Sequence, residues 1–385
     1  MKLVRTIPAR TSRIPTQAAL ATATKLLGRI RRRPAKFEVI GEETSAASLR
    51  RIGRADFVAL ETTCKQLGHR ERKHLASQKN WTVRPLPGWT LTTHTTALQR
   101  LAVITGAPPL PATSTLLSCA IPAALAEVPQ RLAVLHPSTN PVTLAATYMA
   151  ELTDVVTGDA EAALAAAGLG AGLPLCDMVV APYSSRSLAL AALLWDQQRT
   201  SVLLTGTDDL MVLCEGEAAA DQVTMELLGH CERQPHGRRG LVTPNKKLLS
   251  AVRSRLKAAD ADLDATIYLL SSDSMTEACD LASRQRPDRI WLLAAQPDAW
   301  IPLARSTRIV HVGPHAPPSL DECGATPITL LGRDEPAGML FGRTTAHLTA
   351  ERHATLAPRA SRLAAAEGRV WSQRAAMLQG PPDVF

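Results

Sequence analysis

The residues of this chain that could do chemistry gather in one short stretch behind an apolar, helix-like run. His230, Cys231 and His236 lie there within seven positions. Imidazole nitrogens and thiolate sulphurs are ligands that zinc prefers. Glu322 or Cys323, much further along the chain, could add an oxygen or a second sulphur. The stretch is therefore compatible with a zinc site and with an enzyme built on it.

Each of these residues also has a plainer interpretation. His236 stands between a proline and a glycine, which predicts an exposed loop. Cys231 ends an apolar run and is expected to be a small buried hydrophobic residue. His311 lies in a strand-like run, where we expect a hydrogen-bonded core residue, and His315 is expected in a loop. The residue types alone leave both interpretations open.

The elements that would position these residues alternate between strand and helix. From residue 98 onward, two successive blocks of short apolar strands and helix-like segments are separated by brief turns. Such alternation predicts parallel sheets that are covered by helices on both faces. Two blocks predict two Rossmann-like domains with a cleft at the strand ends. No strand is followed by a glycine-rich G-x-G-x-x-G or G-x-x-x-x-G-K-[ST] loop, so the usual phosphate cradle has no support in the sequence.

The sequence thus predicts an α/β protein with two Rossmann-like parallel-sheet domains and a C-terminal helical element. The predicted segments are residues 1–37 as a basic tail or targeting segment, 38–97 as a helical region, 98–235 as the first Rossmann-like domain, 236–345 as the second, and 346–385 as the helical element.

The positive charge of the chain is confined to its beginning. Residues 1–37 hold ten Lys and Arg and no acid, out of 43 basic and 35 acidic residues in all. The remainder is close to neutral, which argues against nucleic-acid binding by the folded body. An Arg-rich, acid-free beginning is typical of organelle-targeting segments, so we expect a mitochondrial location, with the cytoplasm as the alternative. Residues 16–27 could form a short helix in this segment.

Two other interpretations of residues 1–37 stay open. The segment could be a disordered basic arm, or an arm that contacts a partner or RNA phosphates. Stacking on bases would need aromatic residues, and Phe37 is the only one there. The seven cysteines are odd in number and include no C-x-x-C pair, which favours a reducing compartment. No apolar run reaches the ~18–20 residues of a membrane span.

Several blocks of the sequence, in the right order, resemble histidinol dehydrogenase, the zinc enzyme that oxidises histidinol to histidine with two NAD. The matching blocks are residues 113–123, 140–141, 158–162, 206–213, 277–289, 313–319 and 366–368. In the fourth of these blocks, Asp208 stands where the family has serine. The resemblance implies that family's fold over residues 98–377, and it leaves the region before residue 98 unassigned.

The positions that the resemblance assigns to zinc have changed. The family's four ligands, Gln, His, Asp and a distant His, are here His230, Arg233, Glu322 and Ser372. His230 and Glu322 could still bind a metal. Arg233 cannot, because its guanidinium group stays protonated and only donates hydrogen bonds, and a serine is a poor substitute for an imidazole. We therefore expect no zinc.

The positions for catalysis and for NAD have changed as well. The family's Glu-His pair is here Asp288-Arg289, and arginine cannot exchange a proton near pH 7. Its NAD-contacting Tyr, Gln and Asn are here Ile104, Glu161 and Ser184. A carboxylate at position 161 would repel a pyrophosphate. We expect neither a catalytic residue nor bound NAD at these positions.

These losses predict a catalytically inactive relative, kept as a structural or accessory subunit of a larger, mitochondrial assembly. One alternative is a diverged zinc- and NAD-dependent dehydrogenase, which would need both cofactors. The other is an RNA- or ribosome-associated component that uses residues 1–37. Partners would be protein subunits, and the resemblance also implies a homodimer that exchanges residues 346–379.

Overall fold

Two six-stranded sheets form the body of the protein, and a small antiparallel sheet of three strands accompanies them. A computed structural model of the chain describes residues 2–4, 14–77, 81–83, 89–107, 112–196, 200–216, 220–259, 266–304, 307–323 and 351–358. Within these residues, parallel strands alternate with helices through both large sheets. The predicted α/β class with two Rossmann-like sheets is confirmed.

The first sheet carries the strand order β2-β7-β6-β5-β8-β9, and only β2 runs antiparallel in it. The second sheet carries the order β1-β12-β11-β10-β13-β14 and is parallel throughout. The third carries β15-β4-β3. The strands are β1 (Lys2–Val4), β2 (Glu38–Val39), β3 (Trp81–Val83), β4 (Trp89–Thr96), β5 (Arg100–Ile104), β6 (Gln130–Leu135), β7 (Asp154–Thr157), β8 (Met178–Pro182), β9 (Ser201–Thr205), β10 (Leu210–Cys214), β11 (Arg239–Thr243), β12 (Thr266–Ser271), β13 (Arg289–Leu293), β14 (Ile309–Val312) and β15 (Glu351–Pro358).

Helices cover both faces of the two large sheets, as their buried apolar strands require. Several begin at a capping side chain: Asn140 accepts a hydrogen bond from Thr143 N, and Asp159 accepts one from Ala162 N. The helices are α1 (Gln17–Arg32), α2 (Glu42–Ser48), α3 (Arg54–Ser77), α4 (Ala112–Leu125), α5 (Pro141–Met149), α6 (Ala160–Leu169), α7 (Ser185–Asp196), α8 (Ala220–Arg233), α9 (Lys246–Ala258) and α10 (Met275–Gln285), with 3-10 turns at Pro297–Ala299, Ile301–Leu303 and Pro318–Cys323.

The boundary between the two domains lies earlier than the sequence predicted. Strand β10 pairs with β11 and β13 in the second sheet, and α8 packs on that sheet's core through Val223 and Leu227. The division therefore falls between β9 and β10, and residues 210–235 belong to the second domain. The prediction failed here because alternation of strand and helix does not reveal which strands pair.

The beginning of the chain is built into the fold. Helix α1 starts at Thr16, whose hydroxyl accepts a hydrogen bond from Ala19 N at 3.2 Å, and it extends past Gly28 to Arg32. Its apolar face, with Leu27 and Ile30, is buried in the core of the first domain. Strand β1 pairs in parallel with β12 of the second sheet. The interpretation of residues 1–37 as a disordered arm is wrong for α1 and β1.

Two other segments differ from the prediction. Residues 38–97 contain the expected helices α2 and α3, but also strands β2, β3 and β4. In the region predicted to be helical from residue 346, residues 351–358 form β15, which pairs antiparallel with β4 over eight positions. The Thr-rich β4 has the β-branched composition of a strand. Within the described part of the chain, no helix is both long and apolar enough to cross a membrane.

Candidate functional site

A charged cluster lies at the amino ends of the strands of the second sheet. Asp208 and Asp209 directly precede β10, Arg239 begins β11, and Asp288 and Arg289 stand at the start of β13. Because neighbouring parallel strands start at the same edge of a sheet, these side chains converge. We call the charged cluster the group of Asp208, Asp209, Glu226, His230, Arg233, Arg238, Arg239, Asp288, Arg289 and Arg308.

The first domain closes over one side of this edge. Tyr183 follows β8, and its ring lies 4.9 Å from the ring of His236, centroid to centroid. The backbone N of His236 donates to Gly206 O at 3.2 Å, in the connection between the two sheets. The carboxyl end of β8 thus meets the loop before β11. In open α/β sheets, ligands bind at the carboxyl ends of strands, whereas the charged cluster lies at the amino ends.

Arg289 is held in a buried ion pair. Its Nε donates a hydrogen bond to Asp208 Oδ2, and the two side chains are only 4% and 2% exposed. The backbone N of Asp208 in turn donates to Gln234 Oε1 at 3.2 Å. The position that the resemblance assigned to a proton-transferring histidine is therefore occupied by a fixed cation with its own counter-ion.

Asp288 is engaged in structural contacts. Its Oδ2 accepts a hydrogen bond from Asp209 N at 3.0 Å, and its Oδ1 lies 3.6 Å from Arg308 Nε. The side chain is buried. Both oxygens of this carboxylate are therefore engaged within the protein.

Arg233 lies back along the helix that carries it. Its Nη2 contacts Glu226 Oε1 at 2.5 Å, two turns earlier on α8. A Cβ atom placed on Gly229 would stand 2.6 Å from Arg233 Nη1, so the glycine leaves room for the guanidinium group. This arginine therefore belongs to a surface-to-core ion pair on α8 and has no lone pair to offer a metal.

His230 remains as a neutral imidazole among arginines. Its side chain is 2% exposed, and neither Nδ1 nor Nε2 has a hydrogen-bond partner among the described residues. Burial, followed by the positive charges of Arg239, Arg233 and Arg289, lowers the pKa of His230 well below its usual value of 6.5. The ring is thus in the protonation state that binds metals, but in surroundings that repel them.

The residues that the structure describes do not assemble a zinc site. Of the four positions that the resemblance assigned, His230 offers a nitrogen and Arg233 offers none. Glu322 lies in the 3-10 turn Pro318–Cys323, but its side chain falls outside the described residues, as does the whole of Ser372. In the part of the chain that the structure describes, no group of three or more His, Cys, Asp or Glu could hold a metal.

Among the side chains that the structure describes, the alternative set of ligands is not assembled either. Cys231 is buried, its Sγ donates to Leu227 O at 3.2 Å, and burial raises the pKa of its thiol. The prediction of a small buried residue is confirmed. His236 is exposed in its loop, as expected, and His315 is exposed too. His311 is buried in β14. Cys323 has a side chain outside the described residues.

The positions assigned to NAD lie at the carboxyl edge of the first sheet. Ser184 Oγ donates to Glu161 Oε1 at 3.0 Å, and Arg186 Nη1 lies 3.2 Å from Glu161 Oε2. Arg186 thus offsets the charge that was expected to repel a pyrophosphate. Ile104, in contrast, is buried in the core of the first domain, where it cannot contact a ligand. A cavity of about 340 Å³ lies beside Glu161, and Lys25 of α1 also lines it.

Sequence reasoning missed six members of the charged cluster: Asp208, Asp209, Glu226, Arg238, Arg239 and Arg308. Asp208 and Glu226 are the counter-ions of Arg289 and Arg233. The available signal was the acidic pair Asp208-Asp209 directly before an apolar strand, since a carboxylate there is either exposed or paired. Arg239 has no such signal, because nothing in the sequence marks it as buried.

Acid should destabilise the protein through His311. Burial, and then the charge of Arg289, lowers the pKa of His311 to about 3. Between pH ~6.5 and ~3 the unfolded chain binds a proton that the folded chain does not. The stabilisation by the neutral ring is thus complete above pH 6.5 and is lost as the pH falls, at roughly 1.4 kcal/mol per pH unit.

Urea unfolding at pH 7 and pH 5 measures this effect. We expect His311→Gln to lose less unfolding free energy between the two pH values than the wild type does, by roughly 2 kcal/mol. His315→Gln, a change at an exposed loop position, is the matched control and should behave as the wild type. Equal losses in all three proteins would contradict the prediction.

Comparisons with known proteins agree with this architecture. A family model described as histidinol dehydrogenase matches residues 2–378. Histidinol dehydrogenase of Pseudomonas fluorescens Pf-5 is 25% identical over 303 residues, which cover 75% of this chain and 68% of that protein. The enzyme of the same name from Nitrosomonas europaea is 26% identical over 284 residues, covering 70% and 65%.

Solved structures show the same fold at lower identity. The crystal structure of histidinol dehydrogenase from Elizabethkingia anophelis matches with a TM-score of 0.74 and 14% identity, over 92% of this chain and 87% of that one. Lactaldehyde dehydrogenase from Escherichia coli matches with a TM-score of 0.54 and 11% identity, over 89% and 87%. At these identities the matches show a shared fold. They do not indicate what the charged cluster does.

Proposed function

The chain belongs to the histidinol dehydrogenase family, and from that premise we propose that it is a catalytically inactive member whose reaction centre has become a structural charged cluster. The buried ion pair between Asp208 and Arg289 carries this proposal. These residues stand where the resemblance places a serine and a histidine. A lone arginine would be costly to bury at this position, and Asp208 supplies the charge that offsets it. The two changes together therefore replace the reaction centre with a structural ion pair.

The other positions support the same conclusion. Arg233, at a zinc-ligand position, is paired with Glu226, and Asp288 is occupied by Asp209 N. At the NAD positions, Ser184 and Glu161 bind each other. Arg233, Asp288, Arg289, Glu161 and Ser184 thus all have partners within the protein, whereas His230 keeps two unpartnered ring nitrogens.

A protein that keeps the fold without the site serves through its surfaces, so we propose a role as a structural or accessory subunit of a larger assembly. The composition of residues 1–37 supports a mitochondrial compartment for that assembly. In that case α1 must stay on the mature chain, because its apolar face is part of the core of the first domain.

The second candidate is a diverged zinc- and NAD-dependent dehydrogenase. It is favoured by His230, a neutral imidazole with both nitrogens unpartnered, together with the acidic residue kept at position 322. Two further zinc ligands would still have to come from elsewhere in the chain. The two candidates differ in one testable respect: the dehydrogenase requires bound zinc, and the inactive member does not.

Metal analysis and calorimetry separate the two candidates. Protein purified without chelators is expected to hold far less than one zinc per chain, and titration with zinc or NAD should give no submicromolar binding. A known zinc enzyme carried through the same purification serves as the positive control. Tight binding of either zinc or NAD would overturn the proposal of an inactive member and establish the second candidate.

A further inference from the structure

The charged cluster holds one more cation than its carboxylates can pair. Four of its five arginines each lie within ion-pair distance of a different carboxylate of the cluster. These pairs are Arg233 with Glu226, Arg238 with Asp209, Arg289 with Asp208, and Arg308 with Asp288. Among the described residues, the fifth arginine, Arg239, has no carboxylate at that distance.

Arg239 is nevertheless buried. It starts β11 and is 2% exposed. Its Nη2 donates to Gln234 O at 2.8 Å, just beyond the end of α8, where the helix dipole favours a cation. Its Nε has no acceptor in the described part of the chain. Backbone carbonyls give one nitrogen a hydrogen bond, but they do not neutralise a buried guanidinium group, which ordinarily requires an anion.

The orphaned polar atoms of the cluster lie on two further side chains. His230 has two ring nitrogens without a partner, and Asp208 has an unpartnered Oδ1. Arg239 exerts the largest electrostatic effect of any charged residue on His230. Buried polar atoms nearly always have a hydrogen-bond partner, so several orphans around one unpaired cation indicate a missing ligand.

We propose that the charged cluster binds a small oxyanion between Arg239 and His230. An oxyanion accepts hydrogen bonds from the guanidinium Nε and from the N–H of the imidazole, and it supplies the negative charge that Arg239 lacks. A water molecule could satisfy the hydrogen bonds but would leave the charge uncompensated.

Hydrogen phosphate fits these groups better than a carboxylate does. It offers acceptor oxygens to Arg239 and His230, and its hydroxyl can donate to the orphaned Oδ1 of Asp208. A simple carboxylate has no such donor. Phosphates and carboxylates are both small oxyanions. Inorganic phosphate and acetate are therefore the probes that show which of the two classes the charged cluster binds. The inference goes beyond the proposed inactivity, since an inactive subunit does not require an anion.

The test is thermal unfolding and calorimetry of the full chain at low ionic strength, with phosphate, acetate, or chloride at matched ionic strength. Phosphate at ~100 times its Kd is expected to raise Tm by about 3 °C or more relative to chloride. Acetate should have a smaller effect. R239M should bind phosphate at least ~10-fold more weakly, and without phosphate it should unfold at the same temperature as the wild type or higher.

R255Q is the matched control, because Arg255 of α9 forms an exposed pair with Asp221 of α8; this variant should keep the full response to phosphate. If R239M does not fold, R239K replaces it, since lysine keeps the charge but lacks Nε, and it too should bind at least ~10-fold more weakly. An equal effect of phosphate and chloride on the wild type would overturn the inference, and so would full binding by both Arg239 variants. Zinc and NAD binding, measured separately, bear on the proposed function and not on the anion.

Discussion

Replacing Arg289 by methionine is expected to lower the free energy of unfolding by about 3–5 kcal/mol. The substitution keeps most of the side-chain volume but leaves Asp208, 2% exposed, as a buried charge without its counter-ion. Asp208→Leu should cost a similar amount for the complementary reason. Urea unfolding at pH 7, followed by circular dichroism, measures both variants.

The double variant D208L/R289M makes this prediction specific. Because it removes both charges, we expect it to be far more stable than the sum of the single changes implies, with a coupling energy of about 2–3 kcal/mol. Arg186→Met is the matched control, since the pair between Arg186 and Glu161 is largely exposed and should cost less than ~1 kcal/mol. If the effects of D208L and R289M on the free energy of unfolding simply add, Asp208 and Arg289 do not stabilise each other, and the prediction is wrong.

The second large effect concerns the reaction itself. We expect the protein to oxidise histidinol with NAD at least ~10⁴-fold more slowly than the Pseudomonas fluorescens relative, because loss of acid–base catalysis alone costs roughly 10²–10⁴-fold. Arg289 cannot release a proton near pH 7, and Asp288 is held by Asp209 N. Formation of NADH, followed by its absorbance, measures the rate, with that relative assayed beside it.

A partial reversal gives this prediction its control. R289H returns the family's histidine to its position, but Arg233 still occupies a ligand position. We therefore expect no gain in rate from R289H, and a loss of stability because Asp208 loses its partner. A rate for the wild type within ~100-fold of the relative's would mean that other residues have taken over the proton transfers.

The sequence was sufficient for the elements of the fold, but not for their partners. Short apolar strands and capped helices can be predicted from local signals, namely periodicity and capping residues such as Asn140 before Pro141. Pairing is a long-range property, so the assignment of β10 to the second sheet could not be read from residues 210–214. For the same reason α1, whose composition is that of an exposed basic segment, was not recognised as part of a core.

The site shows the same limit. The resemblance located His230, Arg233 and Arg289, and the structure brings these three together. It could not locate Arg239 or Glu226, because their importance comes from burial and from the charges beside them. The type of a residue is visible in sequence, whereas the balance of charge around it is a property of the folded chain.

The pairing of β1 with β12 has a consequence for the order of events during synthesis. Lys2 is synthesised long before its partner Thr266. At ordinary rates of translation, roughly 10–50 s pass between the synthesis of β1 and that of β12, with which it pairs. By then the whole first domain has left the ribosome and can fold around α1. Completion of the second domain thus depends on a strand that is synthesised before every other strand of its sheet.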